Sequence, residues 1–209
     1  MKLAIFGASG RTGHPLVEQA LASGHEVKAL LRTPSRLDLQ HERLHVIQGD
    51  IQDAAKVAEV VAGTDAVLSV LGPANSQPTF TVSKGTANII AAMQQHGVRR
   101  LVVSAGAGVR DPQDRPGLFD KGIGALIKLT SPNVYEDMVR TVNLVRVSDL
   151  DWTVVRAPML TDAPAKGNVK IGYVGQGVGP RLSRGNLAAF VLSQANDTTY
   201  QRQAPVISN

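Results

Sequence analysis

The sequence contains no cysteine in its 209 residues. This absence excludes disulfide bonds, a cysteine nucleophile and a thiolate metal site, and it fits a protein of the reducing cytoplasm. Long apolar stretches are missing as well. No run of about 18 apolar residues occurs, and the residues before Gly7 are too few for the core of a secretory signal. We therefore expect a cytoplasmic chain with no membrane partner.

Aromatic residues are scarce, at 4% of the chain, which leaves little material for the base-stacking surfaces of proteins that bind single-stranded nucleic acid. The formal net charge is +5, but the basic residues are scattered apart from small groups such as Arg32 with Arg36 and Arg99 with Arg100. This distribution favours small anionic ligands over nucleic acid. The five histidines include no pair at helical ligand spacing with a carboxylate partner, so we expect no metal site.

Apolar segments of β type alternate with segments of helical periodicity. The first strand is predicted at Leu3 to Phe6 and the second at Glu26 to Arg32. Further strands are predicted at Leu44 to Asp50, Asp65 to Gly72, Arg100 to Gly106 and Trp152 to Arg156, with helices between them and a short APVIS strand near the end. Continuously apolar strands separated by helices are typical of a parallel sheet covered on both faces. The sequence therefore predicts an α/β fold with a doubly wound parallel sheet, a Rossmann fold.

We expect residues 1–209 to form a single domain of this kind. Two segments, 106–132 and 157–185, are less regular and rich in proline and glycine. Long loops of this sort often close over ligands. We expect them to form the substrate side, the second as a small C-terminal region. The apolar piece IGALIKL in the first segment is interpreted as a homodimer contact or ordinary core, and the alternative is direct contact with the substrate.

Three glycines spaced three residues apart follow the first strand in the run GASGRTG. In a parallel sheet this turn lies at the carboxyl edge, beside the crevice where ligands bind. The first glycine permits a sharp turn, the second permits close approach to a diphosphate, and the third permits close helix packing. The helix that follows offers free amides and a partial positive charge to phosphates. The turn predicts dinucleotide binding, and the alternative is a glycine-rich turn without a ligand. The predicted contacts are Gly7, Ser9, Gly10, Arg11, Thr12 and Gly13.

The end of the second strand indicates which dinucleotide binds. Enzymes that prefer NAD usually place an acidic residue there to hold the ribose hydroxyls. This chain carries Arg32 and Arg36 instead, and no carboxylate occurs before Asp38. A guanidinium pairs bidentately with a 2′-phosphate, so the predicted cofactor is NADP. The alternative for Arg32 is an ordinary surface arginine.

Other predicted contacts follow the later strands. Asp50 is a candidate acceptor for the adenine amino group, and its alternative is a helix cap near residue 53. Leu71 and Gly72 are expected beside the adenosine half. Ser104 is expected near the nicotinamide, and Pro158 is expected at the cofactor where the sixth strand ends.

Several segments together carry a family resemblance. They are GASGRTG, Arg32, the GD pair at 49–50, VVSAGAG from residue 102, SDLDWTVVRAP from residue 148 and LSRGNLAAFVL from residue 182. The chain resembles the atypical short-chain dehydrogenase/reductase family in its NAD(P)H-binding, NmrA-like branch, and is similar to biliverdin-IXβ/flavin reductases. The resemblance implies NADPH-dependent reduction of a small planar acceptor such as a flavin or quinone. The NmrA likeness also permits a non-catalytic NADP-binding redox sensor.

Catalytic residues are harder to assign. Conventional short-chain dehydrogenases use a serine and a tyrosine four residues before a lysine. Ser104 matches the serine, but Tyr135 is followed by Val139 where the lysine should stand. Tyr135 also shares a helical face with Met138 and Val142, which favours a core position. The alternative for Ser104 is a residue that only ends its strand. We take Ser104 and Tyr135 as the catalytic candidates. Isomerases and epimerases normally need the missing pair, whereas flavin or quinone reduction can take its proton from water.

Overall fold

In the described part of the chain, eight strands form the main sheet and two more form a small second sheet. The computed structural model describes residues 1–73 and 77–209, apart from the side chains at 119, 121, 123–125 and 127. The strands are β1 Lys2–Phe6, β2 Glu26–Leu31, β3 Leu44–Gln48, β4 Ala66–Ser69, β5 Arg100–Gly106, β6 Asp151–Ala157, β7 Met159–Thr161, β8 Lys170–Gly172, β9 Arg181–Ser183 and β10 Val206–Ser208. The helices are α1 Gly13–Ala22, α2 Ala54–Val61, α3 Thr81–His96, α4 Leu118–Thr130, α5 Pro132–Val147 and α6 Arg184–Ser193. Within these ranges no helix has both the length and the hydrophobicity to cross a bilayer.

The strand order of the main sheet is β3-β2-β1-β4-β5-β6-β10-β8. Neighbouring strands pair in parallel, except that β8 runs antiparallel to β10. The chain moves outward from β1 to β3 and then returns to place β4 on the other side of β1. This reversal opens a crevice at the carboxyl ends of β1 and β4, where doubly wound sheets bind ligands. The predicted Rossmann fold is confirmed.

Two apolar layers cover the sheet, and alternate residues of a strand contribute to opposite layers. In β1, Leu3 and Ile5 face the layer formed with α1 and α6, whereas Ala4 and Phe6 face the layer formed with α2, α3 and α5. All four side chains are at most 1% exposed. Burial on both faces explains why the central strands are continuously apolar in the sequence.

The two irregular segments contain more regular structure than the sequence indicates. The segment 106–132 holds the helix α4. The segment 157–185 holds three short strands: β7 and β9 pair in parallel as the second sheet, and β8 joins the edge of the main sheet. Each of these strands has three residues, which is too few to display the alternation that identifies a strand.

A buried ion pair joins these two segments to the sheet. The guanidinium of Arg156, which is fully buried in β6, donates to both carboxylate oxygens of Asp114 at 2.8 Å. Asp114 also accepts from the amide of Val174 at 3.0 Å. Burial acts to raise the pKa of Asp114, but the hydrogen bonds from Arg156 and from backbone amides outweigh it, so this pKa lies below its ordinary value. The carboxylate therefore stays charged and holds both segments against β6.

Candidate functional site

Glycines close the turn between β1 and α1 by direct backbone contact. Gly7 has φ +87°, and a Cβ there would lie 2.8 Å from the carbonyl oxygen of Val70, just beyond β4. A Cβ on Gly13 would lie 1.9 Å from the carbonyl oxygen of Gly7. Both positions require glycine because no side chain fits against this backbone. Gly10 is exposed, and among the described residues a Cβ there would meet only the Gly7 carbonyl oxygen, at 3.2 Å. Open space for a ligand therefore lies over Gly10.

Backbone amides at the start of α1 face no acceptor in the described chain. The side chain of Thr12 makes no capping hydrogen bond, and no acidic residue occupies the first turn. Within residues 1–73 and 77–209, the amides of Arg11, Thr12 and Gly13 donate to no backbone or side-chain oxygen. Free N–H groups at a helix start attract anions because their partial positive charge adds to the helix dipole. This turn, which also contains the exposed Ser9, fits the diphosphate of a dinucleotide.

Other predicted contacts lie at three further strand ends. Leu71 and Gly72 follow β4, Ser104 lies near the end of β5, and Pro158 stands between β6 and β7. Strands β1, β4, β5 and β6 are successive parallel neighbours, so their carboxyl ends meet along one edge of the sheet. Gly72 is exposed, and the other three residues are half-buried. The structure therefore brings these residues to the edge that carries the glycine turn.

Two arginines that pair with no described carboxylate lie at the end of β2. Arg32 directly follows this strand, and Arg36 ends a short 3-10 turn over Pro34–Arg36. Both arginines are exposed. In the described ranges neither arginine forms an ion pair with a carboxylate, and this includes the carboxylate of Asp38. Their guanidinium groups are therefore available to an anionic ligand.

Asp50 and the cap of α2 are separate residues. Asp53 caps the helix, since its Oδ1 accepts from the amides of Ala55 and Lys56 at 3.0 and 3.1 Å. Asp50 accepts from the amide of Gln52 at 2.8 Å through Oδ1. Its other carboxylate oxygen has no hydrogen-bond partner among the described residues, so it can still accept from a ligand.

Helix α3 fixes the segment next to Asp50, a contact that sequence reasoning missed. A Cβ on Gly85 would lie 2.3 Å from Cγ1 of Ile51, and Nδ2 of Asn88 donates to the Ile51 carbonyl oxygen at 3.0 Å. A glycine inside a predicted helix was the available signal, because it often marks a close packing contact. These contacts position the loop that carries Asp50.

Tyr135 is less buried than the sequence predicts. It is half-buried, whereas Val142 and Val145 on the same helix are fully buried. The ammonium nitrogen of Lys128 lies 5.8 Å from the centroid of the Tyr135 ring. Lys128 lies in α4, whereas the conventional motif places its lysine four residues after the tyrosine, at position 139. The spacing of that motif could therefore not predict this contact.

The apolar piece 123–129 lies within α4. The side chains at 123–125 and 127 lie outside the described residues. Leu126 and Leu129 are 58% and 81% exposed. The core interpretation is therefore wrong for these two leucines, and the dimer interpretation stays a prediction.

Together, the fold and the glycine turn define a dinucleotide-binding protein of the Rossmann type. A family model described as NAD(P)H-binding matches residues 7–198, and the chain belongs to this family. It is 37% identical over 120 residues to a 3-beta-hydroxysteroid dehydrogenase from Mycolicibacterium neoaurum, covering 52% of this chain and 32% of that protein. It is 26% identical over 161 residues to oxidoreductase aflX from Aspergillus parasiticus, covering 69% and 59% of the two chains. The chain thus spans less than two thirds of the length of either relative.

Solved structures share the fold over the whole chain. The oxidoreductase ylbE from Lactococcus lactis has a TM-score of 0.83 at 18% identity and covers 100% of this chain and 91% of its own. A short-chain dehydrogenase/reductase from Veillonella parvula in complex with NADP has a TM-score of 0.78 at 20% identity, with 100% and 94% covered. The resemblance to the atypical short-chain dehydrogenase/reductase family is confirmed, and the family to which the chain belongs is defined by NAD(P)H binding.

Proposed function

We propose that the chain is an NADPH-dependent reductase that passes a hydride to a small planar acceptor, with flavins and quinones as the leading class. The observation that carries the coenzyme preference is the pair of exposed arginines, Arg32 and Arg36, which no described carboxylate neutralises. A guanidinium binds a 2′-phosphate bidentately, and NADH lacks that phosphate. Both arginines therefore favour NADPH over NADH.

Each end of the coenzyme has candidate partners in this chain. The amides of residues 11–13 bind the diphosphate, and the free oxygen of Asp50 accepts from the adenine amino group. Ser104 orients the nicotinamide amide at the end of β5, and Pro158 borders the same face. When bound, the reduced nicotinamide supplies the hydride. The protein contributes the position of the nicotinamide relative to the acceptor.

The acceptor is inferred from the catalytic groups that the chain lacks. Val139 stands where a conventional family member carries the lysine that activates its tyrosine. Reduction of a flavin or quinone needs chiefly a nicotinamide held against an electron-poor ring, and the proton comes from water. Met159, which is 56% exposed directly after Pro158, offers an apolar surface on which a planar ring can rest.

Turnover tests the proposal directly. NADPH oxidation is followed by absorbance in the presence of FMN, a simple quinone or a linear tetrapyrrole, with NADH as the comparison coenzyme. The proposal predicts steady oxidation that saturates with at least one acceptor and is faster with NADPH at low coenzyme concentration. Tight NADPH binding without turnover over the whole panel contradicts it.

That contrary result supports a second candidate, a non-catalytic redox sensor that binds NADP. The same substitution of valine for lysine at position 139 favours it, because a sensor needs no proton donor. A sensor binds both oxidation states of the coenzyme and reports the difference to a partner. Distinct affinities for NADPH and NADP⁺ without turnover distinguish it from the reductase.

A further inference from the structure

Three charged side chains from separate segments meet beside the glycine turn. Asp162 follows β7 and accepts through Oδ1 from Nη1 of Arg184, the first residue of α6, at 2.6 Å. Its Oδ2 lies 3.6 Å from Nη1 of Arg11. Arg11 belongs to the turn whose free amides face the diphosphate site. Asp162 therefore connects the β7–β9 sheet to this turn.

The two contacts of Asp162 are unequal. The side chain of Arg184 is only 12% exposed, and its contact is a short charge-assisted hydrogen bond. The side chains of Arg11 and Asp162 are 74% and 68% exposed, and their contact is long. Water screens such a surface pair, so it contributes little and exchanges readily. Arg184 therefore holds Asp162 firmly, and Arg11 can change partners.

A diphosphate on the amides of residues 11–13 offers Arg11 a stronger partner. Phosphate oxygens match the fork of a guanidinium and carry more charge than one carboxylate. We propose that Asp162 lowers the affinity for the coenzyme by competing with the diphosphate for Arg11. This inference rests on the proposed coenzyme site and adds a regulating residue to it.

Arg184 has a distinct part in this competition. Once Arg11 turns to the diphosphate, Arg184 is the remaining described cation on Asp162. It neutralises a carboxylate that otherwise repels the phosphates.

A double-mutant cycle tests the competition by calorimetric titration of NADPH into wild type, Asp162→Asn, Arg11→Gln and the double variant. Asp162→Asn keeps the shape of the side chain and removes its charge. It is expected to tighten NADPH binding by about two- to fivefold, which is the change in affinity that corresponds to the loss of one exposed ion pair. In the Arg11→Gln background the same change is expected to have no effect. Glu42→Gln is the matched control, because Glu42 is an exposed carboxylate at the opposite edge of the sheet, and it should leave the affinity unchanged.

Two results overturn the competition. One is an unchanged or weakened affinity in Asp162→Asn. The other is an equal gain in the Arg11→Gln background, which indicates general repulsion of the phosphates and not competition for one guanidinium. If wild type binds neither NADPH nor NADH, the proposed function itself is wrong. If wild type binds NADPH and the cycle shows no coupling, only the competition is wrong.

Discussion

Replacing Arg32 tests how the chain selects its coenzyme. Arg32→Gln keeps most of the side-chain length but removes the charge from the end of β2. Hydrogen bonds to charged groups contribute about 1.5–3 kcal/mol. Arg32 is exposed and Arg36 stays nearby, so the lower figure applies, and about 1.5 kcal/mol corresponds to roughly a tenfold loss of NADPH affinity. NADH affinity should change by less than about twofold, because this coenzyme has no 2′-phosphate to lose.

Calorimetric titrations of both coenzymes measure these affinities directly. Arg43→Gln serves as the control, since Arg43 is an exposed arginine beside the amino end of β3, away from the site, and it should alter neither affinity. High salt should weaken NADPH binding to wild type more than to Arg32→Gln. Salt screens the attraction between the Arg32 guanidinium and the 2′-phosphate, and the variant lacks this attraction. Equal losses for NADPH and NADH in Arg32→Gln would refute the assignment of this residue to the phosphate.

Three further predictions concern the turn, the buried ion pair and the tyrosine. Gly13→Ala should lower the free energy of unfolding by about 3 kcal/mol because its Cβ meets backbone. Gly72→Ala, whose Cβ would meet no atom of the described residues within 4 Å, should change this free energy by less than about 0.5 kcal/mol. Equal effects of the two substitutions in urea unfolding contradict the packing argument. Asp114→Asn should cost about 3–5 kcal/mol at pH 7, since it leaves Arg156 buried without its partner. The lowered pKa of Asp114 means that its stabilisation is present above its ordinary pKa and is lost as pH falls below about 4, so the difference between wild type and variant should narrow there; a constant difference from pH 7 to pH 3 contradicts this. Tyr135→Phe should leave flavin reduction within about threefold if water donates the proton, and a thousandfold loss would identify Tyr135 as catalytic.

Local patterns made the sheet and the glycine turn predictable. Each central strand is buried on both faces, so its apolar run is continuous, and the helices α1, α3 and α5 place apolar residues at helical spacing. Gly7 and Gly13 follow from the same logic, since a strand that turns directly into a packed helix leaves no room for side chains. Gly97, with φ +68° directly after α3, is likewise where a helix end needs glycine.

Long-range contacts were not predictable from the sequence. The partners Arg11 and Asp162 are 151 positions apart in the numbering, and no periodicity links them. Lys128 reaches Tyr135 from another helix, while the motif specifies only a lysine at position 139. Asp50 and Asp53 illustrate a smaller ambiguity, because two carboxylates three positions apart fit the same helix start, and only the structure shows that Asp53 caps it.

Titration of the wild-type chain with NADPH and with NADH by isothermal calorimetry tests the central claim most directly. The account predicts one saturable site per chain for NADPH, with weaker binding of NADH. Absence of measurable heat from either coenzyme at millimolar concentration would contradict it.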